Sequence, residues 1–453
     1  MAAEVDAVVV GGGLAGIAAA AELRALGRAA VVLEAGAQLG GKAQTATFDG
    51  APVERGPVSF AGRHPELWKL VSLLELEADV VRLGRTARAR YVVRGGALRG
   101  VVPHPLSLLT TRVVTWGERL RLLKELFFGA TPLTREASLL EVFERHLGAS
   151  FAHGPATAMV TGIFAGDPAK LSADACFPDL IAAARAKGNF LLGALAAPTT
   201  PGERRPGLFT LKGGLGRFGA RAQERLEVRV GAPVEALERQ GDLWRVVTAK
   251  ESFRARAVVV ATEAHAAATL LGRALPAASA ALGAFEYAPM TVVHWRETEV
   301  GSAKLPQGFG YLAPPSERRF ALGTLFLSSL RGEARGQYAS FVGGALEPAR
   351  AGLDDAALAA GVRQDVESLT GGRFGEVLHV QRWPQAVFQP VVGTAAKRDA
   401  LRAALGDQGL VLAGSYLGSA AMKDAVRSGF EAAARAQALL DGSPALRSAG
   451  GAA

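Results

Sequence analysis

Gly11, Gly13 and Gly16 stand at the spacing Gly-x-Gly-x-x-Gly, and Glu34 follows 18 residues beyond the third. These residue types at this spacing suit the binding of a dinucleotide. The first glycine permits a tight turn, Gly13 lets backbone approach a pyrophosphate, and Gly16 lets a helix pack closely on a strand. A phosphate placed there meets the free N–H groups and the positive dipole end of a helix that begins near Leu14 and Ala15. Glu34, followed by Ala35, is placed to accept hydrogen bonds from a ribose. A second glycine pair, Gly40-Gly41, precedes Lys42 and Thr45, so the chain must pass close to the same ligand again. That continuation favours a flavin over a nicotinamide dinucleotide.

Other chemistry is sparsely provided. The seven histidines are dispersed, with no HExxH and no Cys/His cluster, so a catalytic metal is not expected. His294 and His379 fall on apolar strands and read as core residues. Cys176 is the single cysteine, which rules out an internal disulfide, fits a reducing compartment and reads as packing. No side-chain general base stands out, which leaves the redox step to a bound cofactor. The net charge of +9 is scattered rather than gathered into basic blocks alternating with aromatics, so nucleic acid is not expected as a partner. A basic exterior drawn to anionic lipid uses that charge better.

The elements that must position these residues begin at once. Val5 to Val10 reads as a buried strand, Ile17 to Leu26 as a helix closed by Gly27, and Ala30 to Leu33 as a second strand ending on Glu34. No uncharged apolar run reaches about 18 residues, and the strand pattern at the N-terminus leaves no room for a secretory peptide. One βαβ unit does not complete a cofactor domain. Leu226 to Glu238 and Ala257 to Thr262 read as further strands, as does Gly409 to Gly414, which leads into a helix over 422–440 aimed at the cofactor. The cofactor domain is therefore discontinuous: 1–60, 206–275 and 386–442. Segments 61–90 and 276–385 are expected to form a substrate domain, 91–205 a mostly helical insertion, and 443–453 a flexible tail. Within the insertion, Trp116 to Phe128 mixes Leu and Phe with Arg119, Arg121 and Lys124. Such a helix suits an anionic membrane surface, with a helix packed on the domain core as the equal alternative.

The stretch from Gly11 to Thr45, followed by Gly56-Pro57-Val58-Ser59-Phe60, resembles the signature of the glutathione-reductase-2 type flavoproteins. These include amine oxidases, phytoene desaturases and protoporphyrinogen oxidases. Further stretches, in order along the chain, resemble the protoporphyrinogen oxidases in particular. They are Phe143 to Gly148, Thr161 to Asp167, Leu171-Ser172, Cys176-Phe177-Pro178, Tyr287-Ala288-Pro289, Leu305 to Leu312 and Trp383-Pro384-Gln385. The resemblance spans nearly the whole chain.

The resemblance implies an α/β fold: a discontinuous Rossmann-type FAD-binding domain, a mixed-sheet substrate domain and a helical membrane-associating insertion. It implies that FAD is held at Gly11, Gly13, Leu14, Ala15, Gly16, Glu34, Ala35, Gly41 and Lys42, with Gly56, Pro57, Val58 and Ser59 beside the flavin ring. The backbone of Val234 would meet the adenine, and Trp383, Ala420, Ala421 and Met422 would touch the flavin. A porphyrinogen would lie against Phe309, Gly310, Leu312 and Phe341, with Arg90 paired to a propionate. Hydride would leave a meso carbon for the flavin in three two-electron rounds, with molecular oxygen as the acceptor. The expected place is the cytoplasm of a bacterium, peripheral on the inner face of the cell membrane, and a homodimer is admitted.

Two departures stand out. Val58 replaces an asparagine of the family, and Lys423 replaces another within the C-terminal loop Gly418 to Ala425, which puts a charge near the isoalloxazine. Coproporphyrinogen III oxidase or a desaturase-like relative of the same flavin family stays open. From another class, so does a non-catalytic flavoprotein or tetrapyrrole-binding protein. An amine oxidase is disfavoured, because no paired-aromatic segment lies near the C-terminus.

Overall fold

A computed structural model describes residues 3–48, 50–84, 89–101, 110–130, 133, 135–196, 207–297, 307–331, 336–371, 374–406 and 408–442. Leu305 and Pro306 of the motifs above, and the tail 443–453, lie outside the described residues.

The strand Ala3–Val10 runs parallel to Ala30–Leu33 on one side and to Ser252–Val260 on the other. Ala7, Val8 and Val9 are fully buried, as β-branched and small residues covered on both faces of a parallel sheet should be. Glu227–Arg229 extends the sheet beyond Ala30–Leu33. On the far side, Leu243–Thr248 and Val234–Gln240 form an antiparallel hairpin along the first half of Ser252–Val260, while Leu410–Leu412 pairs parallel to its last residues. The segment read as one strand, Leu226 to Glu238, is therefore two, broken at Gly231, whose φ is +59°. The strands ending at Val10, Leu33, Val260 and Leu412 all deliver their carboxyl ends to one edge, where open α/β sheets bind ligands.

A second sheet of seven strands among the described residues runs in the order Phe374–Gln389, Glu286–Glu297, Gln337–Gly343, Gly323–Phe326, Gly310–Leu312, Arg90–Arg94, Ala97–Val101. Alternation sorts its two faces. Val293 and Trp295 pack under the helix Asp355–Thr370 through Leu358, Val362 and Val366. Met290 and Val292 point the other way, toward the edge of the first sheet. The helix Asp355–Thr370, begun by an Asp354 side-chain cap, was not legible in a stretch read as strands and loops.

The domain boundaries differ from the sequence reading. Helix Pro65–Leu73 buries Leu67, Leu70 and Val71 in the core of the cofactor domain, not the substrate domain, because its apolar face meets helix Leu14–Ala25. The strands Arg90–Arg94 and Ala97–Val101 belong to the second sheet, so the helical insertion starts after them. Strand Phe374–Gln389 carries that sheet past residue 385.

The insertion is built from helices that include Trp116–Phe128, Leu139–Leu147, Thr157–Phe164, Pro178–Lys187 and Phe190–Ala196 around a core of Leu122, Phe143, Phe151, Ile181 and Phe190. Helix Trp116–Phe128 has an unusual polarity. Glu118 and Glu125 are buried, whereas Trp116, Leu120, Phe127 and Phe128 are 77%, 67%, 75% and 83% exposed. The buried carboxylates are paired. His146 Nδ1 lies 2.8 Å from Glu125. Glu118 closes a capping box with Thr115 and accepts from Arg94 at 2.7 and 2.9 Å and from Ser150 at 2.7 Å. No helix among the described residues is long and apolar enough to cross a membrane.

Glu118 thus ties the insertion to the second sheet. Burial alone would raise its pKa, but the bonds from Arg94, Ser150 and the Thr115 backbone hold it down at about 2. Glu118→Gln is expected to cost about 2–3 kcal/mol in urea denaturation at neutral pH. Exposed Glu141→Gln, which keeps its own capping box, should cost less. Because the folded-state pKa is depressed, the Glu118 contribution is complete above about pH 4.5 and disappears as pH falls toward 2. The gap between wild type and Glu118→Gln should close over that window.

Candidate cofactor and substrate site

A single cavity of about 1490 Å³ runs from the carboxyl edge of the first sheet, past the second sheet, into the helical insertion. At its first end lies the glycine turn. Gly11 has a φ of +102°, which favours glycine, and Gly16 packs so closely that a Cβ would come within 1.9 Å of the Gly11 carbonyl oxygen. At Gly13 a Cβ would meet nothing within 4 Å and would project into the cavity, so the glycine leaves room there for a phosphate. Gly13 is also the N-cap of Leu14–Ala25 and offers no side-chain cap, so the helix's first N–H groups are available to an anion. Glu34 accepts from the Gly12 N–H at 2.6 Å and the Gly36 N–H at 2.7 Å. The carboxylate expected to meet a ribose also braces the turn.

Gly56 packs against Lys42, where a Cβ would come within 2.4 Å of its carbonyl oxygen, and so brings the Gly56-Pro57-Val58-Ser59 loop beside the glycine pair. Trp383 donates from Nε1 to the Arg55 carbonyl at 2.7 Å and clamps that loop from the second sheet. Opposite, Ala420, Ala421 and Met422 open the helix Met422–Leu440, whose N-cap, Ala421, makes no side-chain cap. Ala420 sits in the left-handed region at φ +66°, a conformation held by its surroundings at a functional turn.

The structure corrects the expectation for Lys423. Its ammonium bonds the buried Asp424 at 3.3 Å and does not line the cavity. Burial disfavours ionisation of Asp424. Nevertheless, the Ser419 hydroxyl at 2.6 Å and the charges of Lys423 and Arg427 hold its carboxyl below the ordinary value. The charge expected near the flavin is turned into a network behind the loop.

At the far end, Arg90 lies over the Phe309 ring, 5.0 Å from its centroid. Its Nε is buried without a partner, and burial lowers its pKa. Leu312, Phe341, Met290 and Val292 form the apolar wall from the second sheet, and Gly310 lies between Phe309 and Leu312 at φ +146°. Phe143, Leu147, Phe151 and Phe190 close it from the insertion. Among the described residues, the charged side chains on the cavity wall are Glu34, Lys42, Arg55 and Glu263 near the glycine loops, and Arg90 at the apolar end.

Twenty of the 23 residues proposed from sequence line this one cavity, leaving Gly16, Ala35 and Val234 outside its wall. Gly16 acts by packing. Ala35 is exposed in the turn after Glu34, and Val234 starts the edge hairpin; the Ala232 N–H to Glu34 carbonyl bond of 2.9 Å holds these two segments together. Sequence reasoning missed Arg55, Thr262, Glu263, His265, Tyr287 and Tyr416. Thr262 and Glu263 had a signal, since they follow the end of a parallel strand at the ligand-binding edge. Wall residues of the insertion had none, because they look like any helical core. His294 is fully buried and held neutral, its pKa pushed down to about 3 by burial and by neighbouring His379, and Cys176 is buried and pushed up to about 12. Among the described residues no group of acidic, histidine or cysteine side chains is placed to hold a metal.

A phosphate cradle opening into an apolar slot defines a dinucleotide-dependent oxidoreductase. The chain belongs to the family described as flavin containing amine oxidoreductase, whose model matches residues 14–437. It is 27% identical over 470 residues to protoporphyrinogen oxidase 1, chloroplastic, of Spinacia oleracea, covering 95% of this chain and 83% of that one. It is 28% identical over 333 residues to coproporphyrinogen III oxidase of Propionibacterium freudenreichii subsp. freudenreichii, covering 63% and 62%. A crystal structure from Exiguobacterium sp. 255-15 bearing the protoporphyrinogen oxidase name shares the fold, with a TM-score of 0.80 at 23% identity over 96% of this chain and 98% of that one. The cofactor is FAD, and the cradle described above fits it.

The protein is expected to purify yellow and to release FAD on denaturation. Gly16→Ala should purify nearly colourless, since its Cβ would strike the Gly11 carbonyl. Gly117→Ala, where a Cβ meets nothing within 4 Å, should keep its flavin. Absorbance at the flavin band relative to protein makes the comparison.

Proposed function

We propose that the protein oxidises a porphyrinogen, with protoporphyrinogen IX as substrate and protoporphyrin IX as product. The observation that carries this reading is Arg90: a half-buried guanidinium with a buried Nε, stacked on Phe309, with no carboxylate partner among the described residues, at the end of an otherwise apolar cavity. Burying an unpaired charge is costly, so the site is built for a large apolar ligand that brings its own anion. A porphyrinogen is such a ligand, an apolar macrocycle with carboxylates at its rim. Arg90 would hold one propionate and fix the ring's rotation, while Phe309, Leu312 and Phe341 flank the pyrroles and exclude water. FAD, when bound, supplies the two-electron acceptor for hydride from a meso carbon. Formation of the porphyrin removes six electrons in three rounds, with dioxygen as the final acceptor.

The likeness to a coproporphyrinogen III oxidase supports a second substrate within the same reading. Coproporphyrinogen carries four propionates, and a lone Arg90 at the apolar end favours the less acidic protoporphyrinogen. Porphyrin fluorescence with each substrate decides between them.

The reading includes peripheral attachment to the inner face of the bacterial cell membrane. The solvent-facing Trp116, Leu120, Phe127 and Phe128 support it, with exposed Ile163 and Leu195 on other helices of the insertion. Lys124 and Arg112, both exposed, add attraction to anionic lipid. Cosedimentation with anionic vesicles at low salt should fall as salt rises, and Phe127→Glu with Phe128→Glu should reduce it further. Equal binding to neutral vesicles would reject the electrostatic part.

Arg90→Ala should lose about 1.5–3 kcal/mol of charge-assisted contact, a fall of roughly 10- to 150-fold in kcat/KM. Most should appear in KM, since ground and transition states share the contact. Arg90→Lys should restore only part, because an ammonium does not reproduce the two-point fork. FAD content should not change. Wild-type efficiency in Arg90→Ala would overturn the assignment.

A further inference from the structure

Lys42 and Glu263 meet at the cofactor end of the cavity as an ion pair, with the Lys42 ammonium 5.7 Å from the Tyr287 ring centroid. Both flank the phosphate turn. Gly41 packs against Gly13, where its Cβ would come within 3.1 Å of the Gly13 Cα, and carries Lys42 there. Thr262 packs against Gly11, also at 3.1 Å from the Cβ that residue would bear, and carries Glu263. The lysine is what a pyrophosphate site needs; the carboxylate is not. Glu263 is the N-cap of helix Ala264–Leu271, yet its side chain caps no N–H of that helix. Besides Lys42, the His265 ring lies nearest to it, with Nδ1 3.9 Å away. Among the described residues, the Glu263 carboxylate thus has the Lys42 pair and no helix-capping role.

A diphosphate entering this turn meets a like charge, and the ammonium that should receive it is already engaged. Burial disfavours the charged form of Lys42, while Glu263 favours it, so the partner keeps the ammonium ready. We propose that Glu263 sets the FAD affinity: its carboxylate competes with the cofactor's pyrophosphate for Lys42, and holds binding below what the glycine cradle and helix terminus would give. The proposal rests on the FAD cradle and not on the porphyrinogen reading, so either can fail alone.

The test is a double-mutant cycle on the holoprotein, read as the FAD fluorescence released on dilution. Glu263→Gln removes the competing charge and should lower the Kd for FAD about tenfold, equivalent to about 1.4 kcal/mol. Lys42→Met leaves the carboxylate facing the phosphates without a counter-charge and should raise the Kd by more than about tenfold. Adding Glu263→Gln to Lys42→Met should gain clearly less than the same change gains in wild type, because no ammonium is left for the carboxylate to withhold. Raised salt should shrink these differences. An unchanged or weaker FAD affinity in Glu263→Gln, or a gain from that change as large without Lys42 as with it, would overturn the proposal. If Lys42→Met does not fold, as read by circular dichroism, the single change at Glu263 decides.

Discussion

The backbone of Gly16 lies so close to the carbonyl of Gly11 that no side chain fits between them, and much of the site depends on that contact. It seats helix Leu14–Ala25 on the end of strand Ala3–Val10 and turns the helix N-terminus into the cavity. The same device joins this helix to another. At Gly429 a Cβ would come within 2.2 Å of the Ala15 carbonyl oxygen, so helix Met422–Leu440 lies directly on Leu14–Ala25. Two glycines from opposite ends of the chain thereby bring two uncapped helix N-termini to one cavity. One faces the phosphates, and the other faces the loop at Ala420 to Met422. Because these contacts are made by backbone, the altered C-terminal loop can keep its place while its side chains differ.

The cavity is electrically lopsided. Near the glycine loops, opposite charges are close enough to answer one another, as with Lys42 and Glu263. At the other end Arg90 lies over the face of Phe309, with no carboxylate partner among the described residues. A lysine there would be poorly suited, since an ammonium desolvated without a counter-ion tends to lose its proton. The guanidinium stays charged and stacks, and so tolerates an apolar wall until an anion arrives.

The cofactor half of the site was legible because phosphate binding demands glycine at fixed spacing, and spacing survives in sequence. Arg90, Phe309 and Trp383 were found through resemblance, since nothing in their local pattern marks a wall of a cavity. Glu263 was missed although it follows the end of a strand at the ligand-binding edge: a carboxylate beside phosphates contradicts the simple expectation for such an edge. Helix Pro65–Leu73 was given to the wrong domain for a different reason. Its apolar stripe shows that it packs, not on which sheet, and the answer lies in contacts with Leu14–Ala25 far away in sequence.

Helix Trp116–Phe128 shows why amphipathic period alone does not tell which face is inside. At about 100° per residue, Trp116, Leu120 and Phe127 share one stripe, and Glu118, Leu122 and Glu125 share the opposite one. Hydrophobicity argues for burying the first stripe. The fold buries the second, because Glu118 is engaged by the helix cap at Thr115, by both Arg94 nitrogens and by Ser150, while Glu125 is engaged by His146 and the Phe190 N–H. Each carboxylate exchanges water for several donors, which offsets its desolvation. Once both are fixed, the helix has no rotational freedom left, and its aromatic stripe must face outward. A soluble protein gains nothing from that arrangement, since exposed Trp116 and Phe127 add no stability. The facing of this helix is thus set by two buried carboxylates and their donors within an otherwise apolar core, not by its own most apolar stripe.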